Sequence, residues 1–315
     1  MQTVSRVLSH GRTELAKVII GQEELITQCL ITILCQGHAL VEGVPGIAKT
    51  LAIKCIARLF DLEFRRVQCT SDLMPADIIG SNVLNLSTST FSLHRGPLFT
   101  DLLLADEINR MPPRTQAALL ESMEERQITI DGVTHPLTSF FTVFATQNPV
   151  EFEGTYPLPE AQLDRFLLKI KVGYPESDQE IAILENHHQG FSMHNLERAG
   201  ISAMSNEDLE AARAEVRGVR VEPALFRYIV QIVRRTRDWP SFALGASPRA
   251  AVSLMMAAKA YAALEERDYL IPDDVKAAAF PVLRHRVMMK PEAELEGLDS
   301  DQVLKEIIGS VEVPK

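Results

Sequence analysis

Apolar runs that end in polar residues alternate with helical patterns over the first half of the chain. Residues 38–42, 102–105 and 140–146 have the pattern of buried strands, whereas 4–18 and 50–60 repeat apolar residues at the spacing of a helix face. Strands separated by helical segments favour a parallel sheet with helices packed against it. We therefore predict an α/β core.

The second half of the chain contains helical patterns only. The change occurs at Gly173-Tyr174-Pro175, so we predict a core over residues 1–174 and an all-helical domain over 175–315. The acidic tail after Pro291 indicates a polar helix, strand-like ends and partial disorder. The predicted helices, several of which begin with proline or aspartate signals, are 177–188, 206–217, 223–237, 247–267 and 272–287.

Two insertions interrupt the pattern of the core. Between Phe60 and Asp101, FRRVQC reads as a strand, SDLMPADIIG as loop and turn, and NVLNLSTSTFSLHRG as two short strands about a polar turn. After a predicted helix over 114–126, ERQITIDGVTHPL alternates in polarity about Asp131-Gly132, a pair that favours a tight hairpin. Plain surface hairpins and hairpins that grip a substrate are both open interpretations.

The composition is that of an ordinary globular protein. The chain has 315 residues, of which 46% are hydrophobic and 23% charged, and its formal net charge is -10. This acidic balance argues against a dedicated nucleic-acid binder, which usually carries a basic face. We expect neither a membrane span nor a signal peptide. The four cysteines form no CxxC pair, so we expect buried free thiols and a cytoplasmic protein.

The stretch VEGVPGIAKTL, residues 41–51, has the composition of a phosphate-binding loop. In such a loop, G-x-x-x-x-G-K-[ST], backbone N–H groups hold phosphate oxygens, the lysine reaches the outer phosphates and the hydroxyl binds Mg²⁺. Gly43, Lys49 and Thr50 fit the pattern, and Ala48 replaces its last glycine. The helix predicted after the loop would direct its N-terminus at the phosphates. The alternative is a strand, turn and helix with an incidental Lys-Thr pair.

Polar residues end the two later strands. Asp106 follows an apolar run and can support Mg²⁺, while Glu107 is predicted to point the other way along the pleat, where it could polarise an attacking water. Strand ends converge on one edge of a parallel sheet, so Asn148 would lie near the γ-phosphate. The alternatives are a chance pair of carboxylates and an ordinary Asn-Pro turn.

These segments resemble motifs of the AAA+ ATPases, and of the MoxR family in particular. GVPGIAKT is similar to the family's Walker A motif, LLLADEINR to its Walker B motif and ATQNP to its sensor 1. LPEAQLDRF resembles the stretch with the arginine finger, here Arg165, and GASPRA resembles sensor 2, here Arg249. VIIGQEELI is similar to the segment beside the adenine, with Val18, Ile19 and Gly21 as the residues near the base.

The resemblance implies an AAA+ core with a helix-2 insert and a pre-sensor-1 hairpin, followed by a small all-α lid. It implies a Mg²⁺-dependent ATPase that forms a ring, expected to be a hexamer, and remodels a protein partner, such as a von Willebrand factor A domain protein. The ATP-binding residues would be Gly43, Val44, Pro45, Gly46, Ile47, Ala48, Lys49, Thr50 and Leu51. The metal-binding residues would be Thr50 and Asp106, and the catalytic residues Glu107, Asn148, Arg165 and Arg249.

The two arginines also have local interpretations. Arg165 could pair with Asp164 or Glu160 on a surface helix. Arg249 lies in the first turn of a long predicted helix, where a cation opposes the helix dipole unless an anion is bound. The sequence does not distinguish action of Arg249 in its own subunit from action in a neighbour.

Three other functions stay open. A nucleic-acid motor of the MCM type shares both insertions but needs basic hairpin tips, whereas this chain offers Asp131-Gly132 at one tip and His94 and Arg95 in the other insert. A magnesium-chelatase-like ATPase subunit fits the core motifs nearly as well and would differ in its partner. A non-enzymatic, nucleotide-gated scaffold has no need of both Glu107 and Arg165.

Overall fold

The computed structural model describes residues 1–44, 46–87, 89–149, 154–188 and 200–314. Its strands, β1 to β11 in chain order, are Ala39–Glu42, Phe64–Gln68, Gly80–Asn85, Thr90–Arg95, Leu102–Asp106, Gln127–Ile130, Val133–Pro136, Thr142–Gln147, Leu168–Lys171, Phe242–Leu244 and Met288–Met289. Its helices, α1 to α13, are Gln2–Ala16, Glu23–Leu34, Lys49–Leu59, Pro75–Ile79, Pro113–Glu125, Glu160–Leu163, Ser177–His188, Asn206–Arg217, Pro223–Arg237, Pro248–Leu264, Pro272–Leu283, Pro291–Leu295 and Ser300–Ser310. A 3₁₀ helix covers Ile108–Arg110.

A five-stranded parallel sheet forms the centre of the core. The strand order is β2-β5-β8-β1-β9. The register pairs Glu42 with Gln147 and Gln68 with Asp106, so the carboxyl ends of four strands lie along one edge. The predicted α/β core is confirmed, and the predicted functional residues at strand ends share this edge.

Alternate residues of the central strands bury against opposite faces of the sheet. In β5, Leu102 and Leu104 belong to an apolar cluster that includes residues of α1, α2 and α3. Leu103 and Ala105 belong to a second cluster that includes residues of α5. Because both faces are covered, the strands have continuous apolar runs rather than an apolar-polar alternation.

The first of these clusters continues into the C-terminal helices. Leu209 and Val216 of α8 are buried in the same cluster as Val4 and Leu8 of α1. The division of the chain at residue 174 stays a prediction, because this apolar cluster extends across it. Within the described ranges, no helix has the length and apolar character needed to cross a membrane.

The C-terminal region differs in two ways from the predicted all-helical lid. Strands β10 and β11 pair with each other in antiparallel fashion. The tail after Pro291, for which we expected partial disorder, forms α12 and α13, and α13 packs on α9 and α11. The Asp299 carboxylate caps α13 by accepting a 2.7 Å bond from the N–H of Gln302. A capped helix with a buried apolar face explains the order of the tail.

The two predicted hairpins are present, formed by β3 with β4 and by β6 with β7. Asp131 and Gly132 have φ of 48° and 80°, the two positive values that a type I′ turn requires. The segment predicted as loop and turn instead contains the short helix α4. It forms because Pro75 occupies its first turn and the Asp77 carboxylate accepts a 2.8 Å bond from the N–H of Met74.

The four cysteines are buried free thiols, as predicted. Burial raises the pKa of the Cys35, Cys55 and Cys69 thiols to about 12, so they are protonated at neutral pH. Such thiols act as small apolar groups of the core.

Candidate functional site

The predicted phosphate loop and two strand ends enclose one cavity at the carboxyl edge of the sheet. Its volume is about 230 Å³. We call it the phosphate cavity, since the predicted phosphate-binding and metal-binding groups meet there. Its lining residues are Gly46, Ala48, Lys49, Thr50, Leu51, Asp106, Glu107, Thr146 and Asn148.

The loop between β1 and α3 requires small residues. A Cβ atom on Gly43 would come within 2.7 Å of the carbonyl oxygen of Val172, so the backbone that follows β9 excludes a side chain there. Gly46 has φ of 86° and Ala48 has φ of 63°, both in the left-handed region. Ala48 therefore adopts a conformation that glycine adopts more easily, which is why the usual loop pattern has glycine at this position.

The predicted adenine-side residues, Val18, Ile19 and Gly21, do not line the phosphate cavity. Gly21 has φ of 72°, and a Cβ atom there would overlap the side chain of Gln179 on α7. This segment therefore packs where the core meets α7. Pro45, also predicted to bind ATP, lies outside the described residues. A shared apolar cluster contains Val18, Ile19, Val44 and Ile47.

Lys49 and the start of α3 bring positive charge to the phosphate cavity. Lys49 Nζ donates to the carbonyl oxygen of Gly43 at 2.5 Å. Partial burial lowers the pKa of Lys49, and the nearby carboxylates of Asp106 and Glu107 oppose that shift. The N-cap residue, Ala48, has no polar side chain, so the first N–H groups of α3 are available to an anion. These groups can bind phosphate oxygens.

Asp106 is held by residues of both neighbouring strands. Its Oδ1 accepts a 2.5 Å bond from the hydroxyl of Thr146 on β8, and its Oδ2 pairs with Nη2 of Arg66 on β2 at 2.6 Å. Thr146 Oγ1 also accepts the backbone N–H of Glu107 at 2.9 Å. One hydroxyl thus fixes both the carboxylate of Asp106 and the main chain of Glu107.

Glu107 does not follow the strand pleat, and our prediction that it points away from Asp106 was wrong. Strand β5 ends at Asp106, and Glu107, with φ of 59°, is the N-cap residue of the 3₁₀ helix. This left-handed turn brings Glu107 to the same cavity as Asp106. Its Oε2 accepts a 2.9 Å bond from Gln68 and lies 3.2 Å from Nε of Arg110. Strained non-glycine residues of this kind cluster at functional sites.

The sequence patterns did not identify Thr146, Arg66 or Gln68. The register pairs Ala105 with Ala145 and Gln68 with Asp106, which places polar residues of β8 and β2 on either side of Asp106. A polar residue at the end of an apolar strand was the available signal. It becomes specific only when the strand order is known.

The donor set of the cavity fits Mg²⁺. Thr50 and Asp106 line the same cavity, and Mg²⁺ usually binds one or two protein oxygens together with substrate phosphates and water. In the described part of the chain, no group of three or more His, Cys, Asp or Glu side chains is placed to hold a metal alone. Thr50 and Asp106 are thus the residues that could hold Mg²⁺ beside a phosphate ligand.

Arg165 and Arg249 do not line the phosphate cavity of their own chain. Both line a second cavity, of about 290 Å³, together with Glu124 and Arg286. Arg165 donates to the carbonyl oxygen of Leu120, and Arg249 pairs with Glu124 at 2.6 Å. Both arginines thus contact the C-terminal half of α5. Within one chain, the structure separates these two predicted catalytic residues from Glu107 and Asn148.

Two family models match this chain. Residues 38–168 match the ATPase family associated with various cellular activities (AAA), and residues 234–307 match the AAA lid domain. The first match covers the phosphate loop, both hairpins and the segment of Arg165. The second runs from the end of α9 into α13.

Similar proteins extend over nearly the whole chain. The uncharacterized protein YeaC of Bacillus subtilis is 44% identical over 95% of this chain and 92% of its own length. Chaperone MoxR1 of Mycobacterium tuberculosis is 40% identical over 96% of this chain and 81% of its own length. The crystal structure of a Cytophaga hutchinsonii protein assigned as an ATPase is 39% identical, with a TM-score of 0.90 over 99% of this chain and 96% of its own.

Proposed function

We propose that this chain, which belongs to the MoxR family of AAA+ ATPases, hydrolyses ATP with Mg²⁺ as a cytoplasmic, hexameric ring that remodels a partner protein. One observation carries the ATPase proposal. A loop lysine, a helix N-terminus, two carboxylates and a polar strand end converge on one cavity of about 230 Å³. These are the parts that phosphoryl transfer requires.

In the proposed site, Lys49 exchanges its bond to the Gly43 carbonyl for one to a phosphate oxygen of ATP. The N–H groups at the start of α3 bind further phosphate oxygens. Thr50 and Asp106 hold Mg²⁺, which when bound neutralises charge on the phosphate oxygens. The base lies beside Val18, Ile19 and Gly21.

Hydrolysis also requires a positioned water. Glu107 polarises that water and Asn148 orients it. Gln68 and Arg110, which contact Glu107 Oε2, hold the carboxylate in place. Thr146 fixes the main chain from which it projects.

Arg165 and Arg249 act on the ATP of the neighbouring subunit in this proposal. Their location in a cavity separate from the phosphate cavity of their own chain supports this arrangement. A guanidinium supplied by a neighbour stabilises the charge of the transition state. The active site is then complete only in the oligomer.

The exposed hairpin formed by β3 and β4 supports a protein as the partner. Leu86 and Phe91 near its tip are 83% and 71% exposed, and no charged residue lies between Asn85 and Phe91. Exposed apolar residues of this kind mark protein contacts. This hairpin also contacts the second hairpin of the same chain, formed by β6 and β7, because Asn82 donates to the Asp131 carboxylate at 2.8 Å. We propose that both hairpins engage the substrate, and that the partner is a von Willebrand factor A domain protein.

The same observations disfavour a nucleic-acid motor. Tracking phosphates requires cations at the tips. Arg95 lies at the base of the hairpin, where its guanidinium stacks 5.2 Å from the ring of Phe99. A magnesium-chelatase-like subunit is the second candidate, and identification of the bound partner would separate it from a remodeller.

ATP binding and turnover by three variants test the ATPase proposal. Glu107→Gln should bind ATP normally while turnover falls by about 10²–10⁴-fold, because the residue that activates water is lost. Lys49→Ala should lose both ATP binding and turnover. Glu306→Gln, on the exposed face of α13, is the matched control and should behave as wild type. Undiminished turnover by Glu107→Gln would remove Glu107 from this role.

A further inference from the structure

The backbone on both sides of Arg165 is bound by one buried side chain. Arg286 follows α11, and its side chain is 1% exposed. Its Nη2 donates to the carbonyl oxygens of Asp164 at 3.2 Å and Phe166 at 2.6 Å, and its Nη1 donates to that of Leu167 at 3.0 Å. The position of Arg165 is therefore tied to that of Arg286.

Asp164 extends this connection to α10. Its Oδ1 accepts a 2.6 Å bond from Arg286 Nε, and its Oδ2 accepts a 2.9 Å bond from the hydroxyl of Ser247. Ser247 is the N-cap residue of α10, whose first turn contains Arg249. One carboxylate thus joins the segment of Arg165 to the helix of Arg249. We call this group the arginine junction; it consists of Asp164, Arg165, Ser247, Arg249 and Arg286.

The junction fixes the position of the segment 164–167, and burial of the Arg286 guanidinium costs desolvation free energy. A buried guanidinium is tolerated only when its donors are satisfied, and Arg286 has a carboxylate and several carbonyl oxygens as partners. Burial lowers its pKa to about 10, and the Asp164 carboxylate opposes that shift, so Arg286 is charged at pH 7. Apolar side chains in place of both Arg286 and Asp164 would often pack with no loss of stability, whereas removal of one partner leaves the other unpaired. The polar arrangement is thus better explained by placement of the segment 164–167 than by stability.

We propose that Arg286 is a positioning residue for Arg165 and that Asp164 couples Arg165 to Arg249, so that the C-terminal helices of one chain control catalysis in the next. This inference rests on the proposed sharing of the active site. A misplacement of about 1 Å in a catalytic group can cost about 10²-fold in rate. No member of the junction lines the phosphate cavity of its own chain. Loss of the junction should therefore leave ATP binding intact.

The test measures ATP turnover in mixtures of purified variants. Glu107→Gln lacks the group that activates water but keeps Arg165, whereas Arg165→Ala keeps the water-activating group. Each is expected to be inactive alone. A mixture should regain activity, because an Arg165→Ala cavity can receive the arginine of a Glu107→Gln neighbour. This reference pair tests the shared site itself.

Arg286→Met is then mixed with each of these two variants. Alone, it should lower kcat by about 10²-fold and change ATP affinity by less than about threefold. Mixing with Glu107→Gln should restore activity, because the neighbour supplies a correctly placed Arg165. Mixing with Arg165→Ala should not, because the arginine that Arg286→Met supplies is displaced.

Arg284→Met is the matched control. Arg284 lies two residues from Arg286, pairs with Asp301 at 3.1 Å and donates to the carbonyl of Lys169. Turnover by Arg284→Met should stay within about twofold of wild type, since both contacts of Arg284 lie outside the junction. Arg286→Lys, which keeps the charge but fewer donors, should recover part of the lost kcat.

If Arg286→Met does not fold, Ser247→Ala takes its place. It removes only the hydroxyl bond to Asp164, because the Ser247 side chain does not cap α10. Ser247→Ala should lower kcat severalfold. Mixing it with Glu107→Gln should restore activity, and mixing it with Arg165→Ala should not.

Recovery by Glu107→Gln but not by Arg165→Ala supports the inference. Recovery by neither would mean that the variant's own cavity is damaged, and recovery by both would mean that its Arg165 is still correctly placed. Either result overturns the positioning role. If the reference pair fails to regain activity, the shared site is wrong, a failure distinct from that of Arg286.

Discussion

The phosphate cavity and the arginine junction contain two halves of the proposed chemistry, and they are built differently. The cavity uses strand ends of one sheet and the start of one helix, and its groups bond one another, as Thr146 does with Asp106. The junction joins the core to the C-terminal helices, and its two catalytic candidates contact α5 instead of a phosphate site. In the proposed mechanism, one chain thus has the groups to bind ATP, whereas turnover requires a neighbour.

The exposure of Arg249 and that of Asp106 agree with this division. Arg249 is 46% exposed in its pair with Glu124, and exposed ion pairs contribute little free energy. Exchange of Glu124 for a neighbour's phosphate therefore has a small cost. Asp106, which must keep one place, is instead 14% exposed and bonded from two strands.

The largest predicted effect is that of Arg165→Ala. Loss of a guanidinium that stabilises the transition state should lower kcat by about 10³–10⁵-fold and leave ATP affinity nearly unchanged. Steady-state turnover together with nucleotide titration checks both quantities. Arg220→Ala, which removes an exposed arginine paired with Asp268, is the matched control. A parallel loss of ATP affinity would place Arg165 in the phosphate cavity and contradict the comparison.

Thr146→Val should have the next largest effect, on the cavity side. It keeps the shape of the side chain but leaves the Glu107 N–H and an Asp106 oxygen without their shared partner. We expect a loss of about 1–3 kcal/mol in the free energy of unfolding and a lower kcat. Thr146→Ser retains the hydroxyl and should recover both quantities. Equal behaviour of the two variants would mean that the hydroxyl has no role.

Acid should lower the stability of the fold through two buried histidines that lie near the phosphate cavity's sheet and the arginine junction. His38 Nδ1 accepts the N–H of Val143, so its Nε2 donates to the carbonyl of Met123, and burial lowers the pKa of His38 to about 3. Burial also lowers the pKa of His285, which bonds the carbonyl oxygen of Phe166, next to Arg165 of the junction. Below the ordinary histidine pKa of 6.5, the unfolded chain binds protons that the folded chain does not.

Stability should therefore fall as pH decreases below 6.5, by up to about 1.4 kcal/mol per pH unit for each histidine, and for His38 this loss continues toward pH 3. Urea unfolding at pH 7, 6 and 5 measures this slope. His38→Gln should remove the contribution of His38 to this slope. An unchanged slope in this variant would mean that His38 does not contribute.

The smallest predicted effects concern the phosphate loop backbone. Ala48→Gly should raise the free energy of unfolding by at most about 1 kcal/mol, because it relieves a left-handed alanine but increases the freedom of the unfolded chain. Gly46→Ala should lower it by about 1 kcal/mol through backbone strain alone. Among the described residues, and apart from its chain neighbours, a Cβ atom at Gly46 would meet no atom within 4 Å. Changes of the same sign in both variants would contradict this account.

The sequence predicted the cavity better than the junction, for a physical reason. Lys49, Asp106 and Asn148 each lie at or next to the end of a local element whose pattern is visible, and parallel strands bring such ends together. Asp164 and Arg286 are 122 residues apart, and no local pattern shows that they pair. The left-handed turn at Glu107 was also unpredictable, because an apolar strand pattern does not show where the strand stops.

The most direct test of the divided active site is ATP turnover per chain as protein concentration is raised, with oligomeric state measured on the same samples. We predict that turnover per chain rises as oligomers form and that Arg165→Ala binds ATP but stays inactive throughout. Constant turnover over a range in which the protein is monomeric, with Arg165→Ala still active, would contradict the claim that a neighbour completes the site.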